Sequence, residues 1–324
     1  MTYPLPLKGF DSVFDSTLNE EIEDALVEYF DWALLRKGNY FNVDLGERNE
    51  QGLDMSALSP EYEDGELLTT VWHSSQKDWV WQYVESKDQP PTIASQDPAK
   101  PGIPGVYIDG VLYPPDTTGQ YAYKINYING TVRFDNPVDV TTNVQVAFSH
   151  KWISVTYVRE LPWFKKVQSR LSGPDTSFFE NKQGDWTLPP INRLQLPAIA
   201  IEVVPPRRFK PYQIGGGQIV YTDVLFHCLA SNENVRDKLV DIVSYQNDRR
   251  IDIFNSNKVA KAGDFPFDHY GSPVPNAKTF PELVAAYPGY RMTFDNARSQ
   301  GITTMGDLQG ATVRVTVETV KLDI

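Results

Sequence analysis

Residues 197–243 read PAIAIEVVPPRRFKPYQIGGGQIVYTDVLFHCLASNENVRDKLVDIV, and this stretch decides the fold class. The apolar run 197–204 has the length and β-branched content of a strand, and Pro205-Pro206 is expected to end it. Gly215, Gly216 and Gly217 supply a turn, because glycine reaches backbone angles closed to other residues. A second strand is expected over 219–229. Ser231 or Asn232 can then cap a helix whose apolar residues Val235, Leu239, Ile242 and Val243 fall at helical spacing. Residues 250–254 suit a short strand, and 260–290 read as a proline-bearing loop. At the end, Val313, Val315 and Val317 alternate with Arg314, Thr316 and Glu318, the period-two signature of a strand. Strand, hairpin, strand, helix and strand make an α+β sandwich of one sheet and its covering helix.

The N-terminal half follows a different pattern. Thr17 and Glu20 form a capping box. Leu18, Ile22, Ala25, Leu26, Tyr29, Phe30, Ala33 and Leu34 then give one amphipathic helix, with Gly38 as its stop. Glu20, Glu21, Glu23, Asp24 and Glu28 are expected to form its solvated face. Strands are expected at 68–72 and 78–84, the second carrying Trp79, Trp81 and Tyr83, and 86–105 reads as an extended loop. Within 121–134, Asn129-Gly130 is a preferred two-residue hairpin turn. That turn would set Tyr127 opposite Val132 and Ile125 opposite Phe134. Val144, Val146 and Phe148 start another strand, whose apolar phase flips between Trp152 and Ile153, as at a bulge or bend. The division expected is a β-rich domain with one helix over 1–158, a linker over 159–195, and the α+β domain over 196–324.

Composition narrows the function. A net charge of −12 argues against wrapping nucleic acid, which takes a surplus of Lys and Arg. The 17 Tyr, 16 Phe and 7 Trp suit wide protein interfaces. A single cysteine, Cys228, allows no intrachain disulfide, and neither a signal-peptide shape nor a membrane-spanning run is read, so assembly in a cytoplasm is expected.

No catalytic set stands out. His73, His150, His227 and His269 share no metal-binding spacing, and in a strand His227 and Cys228 point to opposite faces. The triple glycine lacks the Lys-Ser or Lys-Thr of a phosphate loop. Trp72, Trp79 and Trp81 with Tyr83 could form a sugar-stacking platform, with core or interface packing as the ordinary alternative. The doublets Arg207-Arg208 and Arg249-Arg250 could meet an acidic partner surface or be merely solvated. An interaction protein without cofactor or metal is therefore expected, rather than an enzyme.

The second half is similar to tail-terminator and related neck proteins of tailed bacteriophages. The resemblance rests on the strand at 197–204, the triple-glycine hairpin, the DVLFHCL strand at 223–229, the VRDKLVDI helix at 235–242 and the Val-rich final strand. YIDGVLY (107–113), INYINGTVRFD (125–135) and VAFSHKW (146–152) look like segments of structural proteins of contractile-tailed phages. The N-terminal half departs from a simple terminator. The resemblance implies a virion protein forming a homo-oligomeric ring, hexameric by preference. Such a ring stacks between head connector and tail, touches other neck, tail-tube and sheath proteins, and lets DNA pass without reading its sequence. Gly215, Gly216, Gly217, Arg207, Arg208, Arg249, Arg250, Val313, Val315 and Val317 are the candidate interface residues, with the last strand as a free edge. A baseplate or tail-fibre attachment protein and a carbohydrate-binding adhesin are the alternatives.

Overall fold

The computed structural model describes residues 12, 14–63, 66–82, 102–115, 117–160, 194–213, 216–305 and 308–321. The chain is mixed α+β and strand-rich. Its larger sheet has six strands in the order β10 (Ser154–Tyr157), β11 (Ala198–Gln213), β12 (Gly216–Ala230), β15 (Leu308–Lys321), β14 (Pro288–Met305) and β13 (Arg250–Phe254). Neighbours are antiparallel except β10 and β11.

Period two sets which face of this sheet is covered. Ile199 and Ile201 of β11, Val224, Phe226 and Cys228 of β12, and Val313, Val315 and Val317 of β15 all lie in one buried cluster. Two helices cover it, α1 (Leu18–Leu35) and α2 (Glu233–Ser244), through Ile22, Leu26 and Phe30 on one and Leu239 and Val243 on the other. Each such side chain contributes about 1.5–3 kcal/mol by leaving water. The sheet curls enough that α1 touches both β10 and β13. α1 starts on the expected capping box, with the Thr17 N–H donating to Glu20 Oε2 at 2.6 Å. Asn232 caps α2, its Oδ1 accepting from the Val235 N–H at 3.0 Å.

Smaller sheets build a second core. They are β1 (Phe41–Val43) with β9 (Phe148–His150); β2 (Ser59–Glu63), β3 (Glu66–His73), β7 (Thr131–Phe134) and β6 (Tyr123–Asn126); and β5 (Val111–Tyr113), β4 (Val106–Ile108) and β8 (Val144–Gln145). Trp72, Trp79, Trp81, Tyr127, Phe134 and Phe148 fill the space between them, with Trp79 stacked on Phe148 at 4.5 Å.

Packing cuts across the division into 1–158 and 196–324. α1 and β10 belong to the core built by 198–321, while Phe267, Val274 and Ala277 pack into the N-terminal core. An amphipathic helix needs a sheet to cover, and the sequence does not say which one. Two short helices, α3 (Ser256–Ala262) and α4 (Phe280–Ala286), occupy part of the stretch expected as loop.

Three local readings are corrected. β11 runs through Pro205-Pro206, with a register irregularity between Val204 and Arg208, because an edge strand can spare an N–H on its open side. The 121–134 hairpin pairs Ile125 with Val132 and Tyr123 with Phe134, leaving a four-residue loop, Tyr127 to Gly130. The Tyr127 N–H donates to the Gly271 carbonyl at 2.9 Å and its carbonyl accepts from the Trp79 N–H at 2.8 Å, so its backbone is claimed by neighbours. Residues 78–82 form no continuous strand, although Trp79, Val80 and Trp81 are buried; Tyr83, like most of the 86–105 loop and the 159–195 linker, lies outside the described residues.

The apolar phase flip at Trp152 and Ile153 marks a change of sheet. Before it, β9 pairs with β1; after it, β10 joins β11.

Candidate interaction surfaces

The expected interface residues are scattered. Val313, Val315 and Val317 are wholly buried on the helix-covered face, and β15 lies between β12 and β14. They are core residues, and the last strand is not a free edge. Gly215 falls outside the described residues, while Gly216 begins β12 and Gly217 takes φ +83° next to the hairpin tip. Arg207 lies within β11, and Arg208 reaches over the Tyr221 ring at 5.8 Å. Arg249 stands over the Tyr29 ring at 5.8 Å, whereas its neighbour Arg250 is exposed at the start of β13.

Open edges exist elsewhere on the sheet. β10 pairs with β11 only as far as Ile201, and β13 pairs with β14 only near its start. Among the described residues, no strand continues either ladder, which leaves 202–213 and 298–305 as edges at opposite ends of opposite sides. The β11 edge carries exposed Phe209 and Tyr212, 58% and 48% accessible. On the face away from the helices, Arg314 bonds Asp223, and His227 Nε2 lies 3.2 Å from Glu202 Oε2 with Nδ1 3.2 Å from Thr312 Oγ1. Cys228 points the other way into the core, where burial pushes its thiol up to about 12.

A cleft of about 480 Å³ opens between α1 and α2. Its floor is aromatic and aliphatic, with Tyr29, Phe30, Trp152 and Ile242. Lys37, Lys238 and Arg249 line it as well, and among the described residues no carboxylate does. Lys238 Nζ lies 4.7 Å from the Trp152 ring centre, and Tyr245 stands 81% exposed at the margin. A cationic rim around an aromatic floor suits an acidic ligand that also carries an apolar group. The cleft was hidden in the sequence because its cations come from three separate places, and only Arg249 drew attention there.

Of the carboxylates expected on a solvated face of α1, only Glu20 is exposed. Glu21, Asp24 and Asp31 are buried and Glu28 is partly so, at positions that follow one side of the helix. Burial pushes Glu21 up to about 7 and Glu28 up to about 8, and raises Asp24. Arg159 Nη2 meets Asp24 Oδ1 at 3.1 Å, and Lys151 Nζ meets Asp31 Oδ1 at 2.7 Å. Asp78 flanks the same lysine and accepts a hydrogen bond from Ser154. At its Asp31 end the row reaches Lys151 and Asp78, next to Trp79 of the second core.

The tryptophans offer no sugar platform: Trp72, Trp79 and Trp81 are at most 3% exposed. Among the described residues, no helix is long and apolar enough to cross a membrane. Comparison with protein-family models, curated proteins and solved structures finds no match to the chain.

Proposed function

We propose that the chain is a structural virion protein of a tailed phage, forming a ring in the neck that closes the tail and joins it to the head connector. One observation carries the reading: a two-layer sheet-and-helix module whose sheet, among the described residues, ends in an open edge on each side, one of them bearing exposed Phe209 and Tyr212. β11 and β14 run in opposite directions, three antiparallel steps apart. The β14 edge of one copy would therefore continue as an antiparallel ladder on the β11 edge of the next, a head-to-tail contact that closes into a ring. Because the open stretches lie at opposite ends, neighbouring copies stagger, as tilted strands do in a closed barrel.

The test is electron microscopy of the purified protein and of the assembled particle. A sixfold ring at the head–tail junction supports the reading; a trimeric fibre or a baseplate position overturns it. Paired Phe209→Ser and Tyr212→Ser changes should leave the monomer's stability within about 0.5 kcal/mol while abolishing incorporation into particles.

A further inference from the structure

We propose that the cleft between α1 and α2 receives the acidic loop 44–54 of a second copy of this chain. The inference rests on the ring reading and adds the contact that gives it register.

The loop is built to dock. It carries Asp44, Glu47, Glu50 and Asp54 against one cation, Arg48. Arg48 Nη1 is spent inside the loop, donating to the Gly52 carbonyl at 2.7 Å. The backbone is tied down too. The Asn49 N–H donates to the Leu53 carbonyl at 3.0 Å, the Met55 N–H donates to the Glu47 carbonyl at 2.7 Å, and Asn49 Oδ1 accepts from the Leu53 N–H at 2.9 Å. With its polar backbone satisfied locally, the loop leaves Leu45 and Leu53 41% and 65% exposed. An ordered loop with apolar tips binds without paying to be ordered first.

The cleft is the complement. Its aromatic floor can take a leucine, and Lys37, Lys238 and Arg249 complement a loop of formal charge −3, four carboxylates against one arginine, in which Asp54 is held by Ser56 and Gln145 and Asp44, Glu47 and Glu50 remain to meet the rim. In a chain of net charge −12, copies brought side by side repel, so a cationic rim meeting an acidic loop offsets that repulsion where they touch. The loop and cleft are different surfaces of one subunit, so the contact can repeat head to tail, as the ring reading requires.

The experiment uses the full chain. Equal amounts of ¹⁴N- and ¹⁵N-labelled protein at the highest soluble concentration are treated with a zero-length carbodiimide cross-linker and read by mass spectrometry. Mixed-label links from Lys238 or Lys37 to Asp44, Glu47 or Glu50 are expected. Combined Lys238→Glu and Arg249→Glu changes should weaken self-association roughly tenfold or more, as should combined Glu47→Lys and Glu50→Lys changes, and mixing the two variants should restore it. Absence of rim-to-loop links overturns the proposal, whether the protein associates or stays monomeric. So does association of the reversed variants at parental strength, or a rim linked in the particle to a different protein's carboxylates. None of these outcomes removes a ring seen by microscopy, so the two ideas fail separately.

Discussion

The side-chain amide of Asn39 bonds both backbone groups of Ile153, donating to its carbonyl at 2.9 Å and accepting from its N–H at 2.7 Å. Both residues are buried, and the pair sits where the chain leaves β9 for β10. The amide acts as one rung of a missing strand, satisfying backbone that neither sheet reaches.

Asn39→Ala should therefore cost about 2–4 kcal/mol, because two buried backbone groups lose their partners. Asn39→Asp keeps the acceptor but sets a carboxylate against the Ile153 carbonyl, and should be at least as damaging. Urea unfolding of both variants gives the comparison; a loss below about 0.5 kcal/mol in each would show that the amide is dispensable.

Gly130 has φ +63°, and a Cβ there would lie 2.1 Å from the Gln76 carbonyl oxygen. Gly130→Val combines strain with a clash against backbone, and should destabilise by more than about 2 kcal/mol. Gly263 has φ +71° with open space around it, so Gly263→Ala should show the conformational part alone, about 1 kcal/mol. Thermal melts of both variants separate the two effects.

Stability should fall as pH rises through neutrality. Glu21 and Glu28 hold protons in the folded chain that the unfolded chain releases. Their contribution is full below the ordinary value of 4.5, declines with rising pH and is gone above about 8. Asp31, Asp24 and Lys151 act on Glu28 from around it, the lysine favouring its charge and the aspartates opposing it. Glu28→Gln should flatten the decline, melting near the parent at about pH 5 and several degrees above it at about pH 9. A parental slope in the variant would place the titration elsewhere.

Val315 separates core from interface. As a wholly buried residue between β12 and β14, it should cost about 1–3 kcal/mol when changed to Ala, and Val315→Asp should prevent folding. A soluble, folded Val315→Asp that merely failed to assemble would restore the interface role expected from the alternating pattern.

Faces were easier to read than places. Tyr123, Ile125, Val132 and Phe134 are all buried, as their alternation requires, yet the register slipped by two residues. A slip of two keeps every side chain on its face, so the pattern is blind to it. α1 announced itself through Thr17, Glu20 and its apolar spacing, but those features name no partner sheet. β14 was missed because few of its described side chains, such as Met292 and Phe294, are buried; 298–301 are exposed and its register shifts twice. Pro205-Pro206 read as a stop because an edge that tolerates proline looks, in sequence, like the end of a strand. The cleft needed two helices more than 190 residues apart to be brought together, and no local pattern carries that information.

The placement of α1 has a consequence for synthesis. The helix leaves the ribosome long before its sheet is complete, because β15 is the last of the sheet's strands to be made. Until then its apolar stripe has no sheet to cover, and the carboxylates beside it stay in water and ionised. Those charges give the waiting segment solubility that an all-apolar face would lack. The feature that weakens the finished fold at high pH thus guards the nascent chain, and slowing translation over the last strands should lengthen chaperone occupancy on the N-terminal segment.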